Sequence, residues 1–290
     1  MSLFRQLQQR AEDRNPIRVG VVGAGKFGMM FLAQVLRLPG IHVVGIADLD
    51  VDRARSNLQL AEWPTERFNA SSFGAALQGG STFLTDNAQA LIESPDVEII
   101  VECTGNPIVA VDHILKAFNH GKHVISATVE ADALCGAALA QRARAAGVIY
   151  SMAFGDQPAL VCDLVDWART CGFEVAAAGR GHKWKPEYRF STPDTVWDHW
   201  GLTVEQAERG RLNPKMFNSF LDGTKPAIES AAIANACGLN VPASGLLYPS
   251  GSIDDLPNQM RPAQEGGVLE GLGMVEVQNC LDIDGAPIDY

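Results

Sequence analysis

Short apolar runs alternate with segments of helical periodicity over the first half of the chain. The apolar runs predict buried strands at 17–22, 43–47, 97–103, 123–127 and 148–152. Apolar residues at helical spacing predict helices at 2–13, 51–60, 73–77, 87–93, 109–119 and 133–146. Because strand and helix alternate, residues 1–155 are predicted to form an α/β domain with a doubly wound parallel sheet.

The pattern changes after Ala153. The predicted elements are then a helix at 157–170, a strand at 173–179, a tightly packed helix from Pro226 and a last strand at 274–277. A Pro- and Gly-rich stretch at 242–273 separates the last two. Residues 156–290 are therefore predicted to form a separate α+β domain, which we expect to bind the substrate and to mediate dimerisation.

A glycine fingerprint follows the first predicted strand. Gly23 permits a tight turn, Gly25 lets the backbone approach a pyrophosphate, and Gly28 lets the next helix lie close to the strand. Asp48 ends the second strand, twenty residues beyond Gly28, where a carboxylate can accept hydrogen bonds from a ribose. This pattern predicts a Rossmann dinucleotide site made by Gly23, Ala24, Gly25, Lys26, Phe27, Gly28 and Asp48. The alternative is a Rossmann-like turn that has lost its ligand.

A second loop at a strand end is Thr104-Gly105-Asn106-Pro107, which follows the strand at 97–103. Open parallel sheets bind ligands at the carboxyl ends of their strands. We therefore expect Thr104 and Gly105 to line the nicotinamide half of the cofactor. The alternative interpretation is an ordinary strand-to-helix turn.

The charge balance narrows the class of partner. The 290 residues carry 23 Lys and Arg against 34 Asp and Glu, a formal net charge of −11, so a general nucleic-acid or anionic-membrane surface is not expected. The six cysteines form no C-x-x-C pair and mostly lie in apolar runs, as reduced core thiols do. With no signal peptide and no apolar run long enough to span a bilayer, we expect a cytoplasmic enzyme.

One segment of this acidic chain is basic. Five basic side chains lie within ten residues, namely Arg180, His182, Lys183, Lys185 and Arg189. They predict a pocket for a phosphate or carboxylate of the substrate, with the aromatic rings of Trp184 and Tyr188 as its walls. A solvated surface loop is the alternative.

Three ionisable residues stand at the start of the helix predicted from Pro226. Asp222, Lys225 and Glu229 share this entrance, and Lys225 and Glu229 lie one helical turn apart on the same face. They are candidates for proton transfer during catalysis. A surface ion pair at i,i+4 spacing is the other explanation.

With these residues in hand, the chain resembles the homoserine-dehydrogenase-like oxidoreductases, and among them the 1-deoxy-D-xylulose 5-phosphate reductoisomerase-like enzymes of some bacteria. The resemblance covers nearly the whole chain. It depends on the motifs GAGKFG at 23–28, VECTGNP at 101–107, VEADAL at 129–134, GDQPAL at 155–160, STPDTVW at 191–197 and FNSFLDGTK at 217–225. The first motif is generic to Rossmann enzymes, whereas the last four together are specific to the reductoisomerase-like group.

Two departures from related families bear on the chemistry. Sugar dehydrogenases with a Glu-Lys-Pro motif, and homoserine dehydrogenases, carry a lysine near the position of Glu130, whereas this chain has none nearby. Homoserine dehydrogenases also have an Asp two residues and a Lys six residues after a glycine, and this chain has Lys225 and Glu229 at those distances from Gly223. The acid and the base have exchanged positions, so homoserine itself is not the expected substrate.

The resemblance implies conversion of 1-deoxy-D-xylulose 5-phosphate to 2-C-methyl-D-erythritol 4-phosphate, a step towards isoprenoid precursors, by a rearrangement and a hydride reduction. The expected catalytic residues are Lys225, Glu229, Lys183 and Asp222, the substrate-binding residues are Arg180, Lys185 and Arg189, and Glu130 joins Thr104 and Gly105 beside the cofactor. Asp48 favours NADH because it repels a 2′-phosphate, yet Arg53 and Arg55 follow it and the resemblance implies NADPH, which we expect.

The same resemblance implies the oligomeric state, the kind of substrate and the length of the chain. A homodimer acting on a small phosphorylated sugar is expected, no metal ligand is assigned, and the need for a divalent metal stays open. The reductoisomerase-like enzymes continue beyond the position of Tyr290, which predicts that this chain is shortened at its C-terminus. Two alternatives remain: an NAD(P)-dependent dehydrogenase of another sugar phosphate, sugar acid or homoserine-like compound, and a non-catalytic dinucleotide sensor.

Overall fold

The structure is a computed structural model that describes residues 2–210, 212–281 and 285–287. The chain divides into two compact units, Met1–Phe154 and Gly155–Tyr290. Among the described residues, no helix has both the length and the apolar content needed to cross a bilayer.

The first unit contains alternating strands and helices. Its strands are β1 (Ile17–Val22), β2 (Ile41–Ala47), β3 (Phe83–Thr85), β4 (Ile99–Glu102), β5 (His123–Ser126) and β6 (Tyr150–Met152). Its helices are α1 (Leu3–Glu12), α2 (Lys26–Val35), α3 (Val51–Leu60), α4 (Phe73–Gly79), α5 (Ala88–Glu93), α6 (Pro107–Asn119) and α7 (Val129–Ala146). The predicted helix at the N-terminus is confirmed, and the Ser2 hydroxyl caps it by accepting a bond from the Arg5 N–H.

The strands of the first unit form one parallel sheet in the order β3-β2-β1-β4-β5-β6. This is the predicted doubly wound α/β fold. The strands β1 to β3 extend the sheet to one side of β1, and β4 to β6 extend it to the other side, starting next to β1. Because all strands are parallel, their six carboxyl ends lie along one edge of the sheet. The loops after β1 and β4 therefore meet at the point where such sheets bind ligands.

Apolar side chains cover both faces of this sheet, which explains why its strands are apolar runs without alternation. On one face, Ile100 and Val124 pack with Leu91 and Ile114. On the other face, Val21 and Ile46 pack with Leu32, Leu58 and Phe68. The two layers hold the sheet rigid behind the loops at its carboxyl edge.

The second unit is built around a two-stranded parallel sheet of β7 (Ala177–His182) and β8 (Met274–Asn279). Its helices are α8 (Gln157–Thr170), α9 (Val196–Trp200), α10 (Val204–Arg209), α11 (Pro214–Leu221), α12 (Thr224–Cys237) and α13 (Leu256–Gln259). Helices α8 and α12 cover one face of the sheet, where Val165 and Ile233 pack against Val275. The same face carries Arg180, which lies two residues after Ala178 of this core.

Two predicted elements start four residues away from their positions in the structure, and one strand was not predicted. The strand predicted at 173–179 begins only at Ala177, because the backbone pairs with β8 from that residue onward and Phe173 is an exposed neighbour of Trp167. The short strand β3 was not predicted, since its three residues lie in a polar connection. Helix α7 starts four residues earlier than predicted and contains a break at Cys135, where φ is −153° and ψ is 25°.

The central strand β4 offers a test of the core. Ile100→Ala removes a fully buried side chain, so the free energy of unfolding should fall by about 2–5 kcal/mol. The same substitution at Ile108, which is 70% exposed on α6, should change it by less than about 0.5 kcal/mol. Urea unfolding followed by circular dichroism measures both, and equal effects at the two sites would contradict this account of the core.

Candidate functional site

The three glycines of the first loop are required for different reasons. Gly23 has φ +98°, and a Cβ there would lie 2.7 Å from the Cys103 carbonyl oxygen. A Cβ on Gly28 would lie 2.2 Å from the Gly23 carbonyl oxygen, so α2 can approach β1 only through a glycine. A Cβ on Gly25 would meet no described atom within 4 Å. Packing within the protein therefore explains Gly23 and Gly28, whereas Gly25 leaves room that a pyrophosphate fits.

Helix α2 begins at this open position. Gly25 is its N-cap, and no side chain caps the first turn, which comprises Lys26, Phe27 and Gly28. The N–H groups and the positive end of the helix dipole suit a phosphate. The residues present thus fit a dinucleotide, with Gly25 and the start of α2 holding its phosphates.

Asp48 lies beside this turn, as predicted, but its carboxylate has partners in the protein. Its Oδ2 accepts a bond from the Ala24 N–H at 2.8 Å, and its Oδ1 accepts from the Asp50 N–H and from Arg53 Nη2, at 2.9 Å and 2.8 Å. The side chain is 5% exposed. Asp48 therefore fixes the glycine turn itself, and its charge is paired with the guanidinium of the exposed Arg53 side chain.

The loop after β4 is fixed by a buried carboxylate that the sequence analysis missed. Glu102 is fully buried, and it accepts bonds from the Thr128 hydroxyl and from the Thr104 N–H at 3.3 Å. The Gly105 N–H in turn donates to Thr128 Oγ1 at 3.0 Å, and His113 Nδ1 lies 3.5 Å from Glu102 Oε1. The sequence did contain a signal for this residue, because Glu102 is an acid at the end of an apolar strand.

Thr104 and Gly105 therefore stand where they were expected, at the carboxyl end of β4. Gly105 has φ +69°, a backbone conformation that favours glycine. Glu130 lies in the first turn of α7, two residues after the Thr128 that joins this network. The hydrogen bonds hold the loops after β4 and β5 together at one edge of the sheet.

In the second unit, three of the predicted residues come together. The Arg180 guanidinium forms an ion pair with Glu229 Oε2, and Lys225 Nζ lies 4.0 Å from Glu229 Oε1. Glu229 is 3% exposed. Burial raises the pKa of this carboxyl above its usual value, and the charges of Arg180 and Lys225 oppose that rise. The group is a buried acid between two cations, which excludes the simple surface ion pair.

The other predicted residues of the basic segment, and Asp222, have separate surroundings. Lys183 is exposed, and Lys185 Nζ lies 4.0 Å from Glu187 Oε1, also near the surface. The Arg189 guanidinium stacks 5.6 Å from the centre of the Trp184 ring. Asp222 accepts from the Thr224 N–H at 2.8 Å and from Asn218 Nδ2 at 3.0 Å.

One of the two predicted aromatic walls lies outside the cavity that Trp184 lines. Tyr188 is buried against Val196 and Leu221 and does not line the cavity beside Trp184. Tyr248 occupies that position, with its ring centre 5.2 Å from that of Trp184. It lies in the Pro- and Gly-rich stretch, where periodicity gave no signal.

Family models match both units of the chain. Residues 23–152 match the NAD binding domain of homoserine dehydrogenase, and residues 155–286 match the catalytic domain of oxidoreductase DRL. The matched models are those of a dinucleotide-binding domain and of an oxidoreductase catalytic domain, in that order along the chain. The two matches together support a relationship of the chain to the homoserine-dehydrogenase-like oxidoreductases.

Individual proteins match this chain at low sequence identity or over only part of its length. A homoserine dehydrogenase of Methylobacillus glycogenes is 32% identical over 113 residues, which are 38% of this chain and 23% of that protein. The structure of a homoserine dehydrogenase from Thiobacillus denitrificans has a TM-score of 0.49 at 19% identity, covering 78% of this chain and 50% of that one. A myo-inositol dehydrogenase from Lactobacillus casei, in complex with NAD(H) and myo-inositol, has a TM-score of 0.41 at 14% identity, covering 63% and 50%. The chain spans half or less of the length of these relatives.

A substitution in the glycine loop can show whether Gly25 is needed for cofactor binding and not for folding. Gly25→Ala should leave the urea unfolding midpoint unchanged, because its φ of −72° suits alanine and nothing lies within 4 Å. The added methyl group should raise the Kd for the dinucleotide about tenfold or more, because it occupies the space of the pyrophosphate. Nucleotide fluorescence measures the Kd.

Gly79→Ala is the matched control, since a Cβ at Gly79 also meets nothing within 4 Å. It should change neither the unfolding midpoint nor the Kd. Wild-type affinity in the Gly25→Ala protein would contradict the assignment of the turn.

Proposed function

We propose that the chain catalyses the NADPH-dependent conversion of 1-deoxy-D-xylulose 5-phosphate to 2-C-methyl-D-erythritol 4-phosphate. The observation that carries this proposal is the buried Glu229 carboxylate between Arg180 and Lys225. A rearrangement followed by a reduction needs one group that accepts a proton from a substrate hydroxyl and another that donates a proton to an oxygen. The match of residues 155–286 to the DRL catalytic domain supports the same reaction class.

Each residue then has a role. Glu229 takes the hydroxyl proton as the carbon skeleton rearranges to an aldehyde, and the Lys225 ammonium donates a proton to the carbonyl oxygen during its reduction. Arg180 keeps Glu229 in place, because a carboxylate at this depth needs a bound cation. Lys183, Lys185 and Arg189 supply positive charge for the substrate phosphate, and Asp222 fixes the start of α12. The bound dinucleotide supplies the hydride.

The choice of NADPH is supported by the pairing of Asp48 with Arg53. Asp48 directs its oxygens to Ala24, Asp50 and Arg53, so its negative charge is compensated within the protein. The Arg53 side chain is 57% exposed and can bind such a phosphate. Arg55 stacks 5.9 Å from the centre of the Phe68 ring.

The activity is tested with the full chain, NADPH and 1-deoxy-D-xylulose 5-phosphate. NADPH oxidation should depend on the sugar phosphate, and NMR should identify a branched product. Glu229→Gln and Lys225→Met should each lower kcat by about 100-fold or more, because each removes a proton-transfer group. Glu205→Gln, on an exposed glutamate of α10, should keep wild-type turnover.

Unchanged NADPH affinity in these variants shows that the first unit stays folded. The gene should also restore growth to a strain that lacks the ordinary reductoisomerase. Wild-type turnover in both the Lys225 and the Glu229 variants would refute the catalytic assignment. Tight NADPH binding without turnover of any sugar phosphate would instead favour the dinucleotide sensor.

Arg53→Ala tests the cofactor preference. The KM for NADPH should rise about tenfold or more, through loss of the phosphate contact, while the KM for NADH stays within about twofold. Arg144→Ala, an exposed arginine at the last turn of α7, should leave both values unchanged. An equal rise of both KM values in Arg53→Ala would show that Arg53 only supports Asp48.

A second candidate is a dehydrogenase that reduces a carbonyl without rearrangement. It is favoured by the match of residues 23–152 to the NAD binding domain of homoserine dehydrogenase. The two candidates differ in the product, because only the reductoisomerase changes the carbon skeleton. A product that keeps the linear skeleton would select the dehydrogenase.

A further inference from the structure

A small cavity lies in the second unit, beside the start of α12. It has a volume of about 200 Å³ and is lined by Trp184, Arg189, Asp222, Gly223, Ala227 and Tyr248, together with Leu246 and Leu247. Pockets that enclose a whole ligand are larger, about 300–1,000 Å³. This cavity, called here the Tyr248 cavity, therefore fits one group of a small ligand.

Tyr248 is held in the cavity in a conformation that bulky residues rarely adopt. Its φ is +54°, in the left-handed region. The buried Glu276 carboxylate accepts bonds from the Leu247 N–H at 3.0 Å and from the Tyr248 N–H at 3.4 Å. Strain of this kind persists where surrounding contacts impose it, and it concentrates at binding sites. Glu276 thus positions the Tyr248 ring.

The hydroxyl of Tyr248 points to the start of α12. It donates a long hydrogen bond of 3.3 Å to the Gly223 carbonyl oxygen, and its ring packs between those of Trp184 and His182. Burial and the nearby Glu276 carboxylate raise the pKa of Tyr248 to about 12. The phenol is therefore protonated at neutral pH and serves as a hydrogen-bond donor.

A second donor lies beside it. Trp184 Nε1 is buried and has no hydrogen-bond partner among the described residues. It lies 3.8 Å from the place that a Cβ on Gly223 would occupy, so the lack of a side chain at Gly223 leaves no Cβ beside the indole N–H. A buried N–H without an acceptor is costly, and a ligand oxygen would satisfy it.

The charges at the cavity suit an anion. The Arg189 guanidinium stacks over the Trp184 ring, and both residues line the cavity. Asp222 is the acidic group that lines the cavity, and its oxygens accept bonds from the Thr224 N–H and from Asn218. Arg189 is thus the basic residue that lines the cavity, and the lining carboxylate of Asp222 is directed to other donors.

We propose that the Tyr248 cavity binds the phosphate group of the substrate, with the Tyr248 hydroxyl and the Trp184 indole N–H donating to its oxygens and Arg189 supplying the positive charge. This assignment rests on the proposed function, in which the substrate is a phosphorylated sugar. It locates the phosphate at Arg189, whereas Arg180 stays paired with Glu229.

The test compares two tyrosines that differ in one respect. Tyr248→Phe removes a hydroxyl inside the cavity and keeps the ring, whereas Tyr188→Phe removes a hydroxyl from a buried ring outside it. Calorimetric titration of the full chain measures binding of inorganic phosphate, of 1-deoxy-D-xylulose 5-phosphate and of the same sugar without its phosphate. The unfolding midpoint of each variant is recorded alongside.

Tyr248→Phe should raise the Kd for inorganic phosphate and for the sugar phosphate about 10-fold or more, because a bond to a charged oxygen is lost. Its Kd for the unphosphorylated sugar, and all three Kd values of Tyr188→Phe, should stay within about twofold of wild type. An unchanged Kd for phosphate in Tyr248→Phe would overturn the proposal. Failure of the wild-type chain to bind either phosphate compound would overturn it as well.

The outcomes also separate this proposal from the proposed reaction. If phosphate binding depends on Tyr248 but the sugar phosphate gives no turnover, the cavity is a phosphate site and the reductoisomerase assignment fails. If turnover occurs but its KM is the same in Tyr248→Phe and wild type, the reaction stands and the phosphate lies elsewhere.

Discussion

A carboxylate in a protein interior needs donors around it, and the loops of both units supply those donors from their own backbones. Asp48 accepts from Ala24 in the glycine turn, Glu102 accepts from Thr104, and Glu276 accepts from Leu247 and Tyr248. Each acid lies in a strand or directly after one. Its hydrogen bonds therefore fix a loop relative to the sheet through a single side chain. The loops at the candidate sites are thereby tied to the sheets by hydrogen bonds within the protein.

Glu229 differs from these three acids in its partners. The contacts identified for its carboxylate are to the side chains of Arg180 and Lys225. Side chains can change rotamer without unfolding a loop, whereas backbone donors cannot move independently of it. Burial that raises the pKa, together with partners that can move, makes Glu229 suited to exchange a proton, while the other three acids are suited to hold a shape.

The features that the sequence predicted well are those with a local signal. The apolar runs gave the parallel sheet, and the spacing of Gly23, Gly25 and Gly28 gave the tight turn that joins β1 to α2. The features that it missed depend on contacts between distant residues. Asn279 accepts from the Trp184 N–H across 95 positions, and β7 begins where pairing with β8 begins, not where its apolar residues do. Tyr248 was missed because its place is set by Glu276, 28 positions away, and not by any periodicity.

The strand order of the first unit has a consequence for how the chain reaches its fold during synthesis. Strands β1, β2 and β3 can pair as soon as they leave the ribosome, but the other edge of β1 pairs with β4, and Val19 meets Ile99 across 80 positions. Until β4 is made, the unpaired N–H and C=O groups along one edge of β1 are open to the solvent and to other chains. Closing so long a loop is slow compared with local pairing. The nascent chain is therefore most exposed to misassembly between the emergence of β3 and that of β4, and growth conditions that slow synthesis over this interval would prolong that exposure.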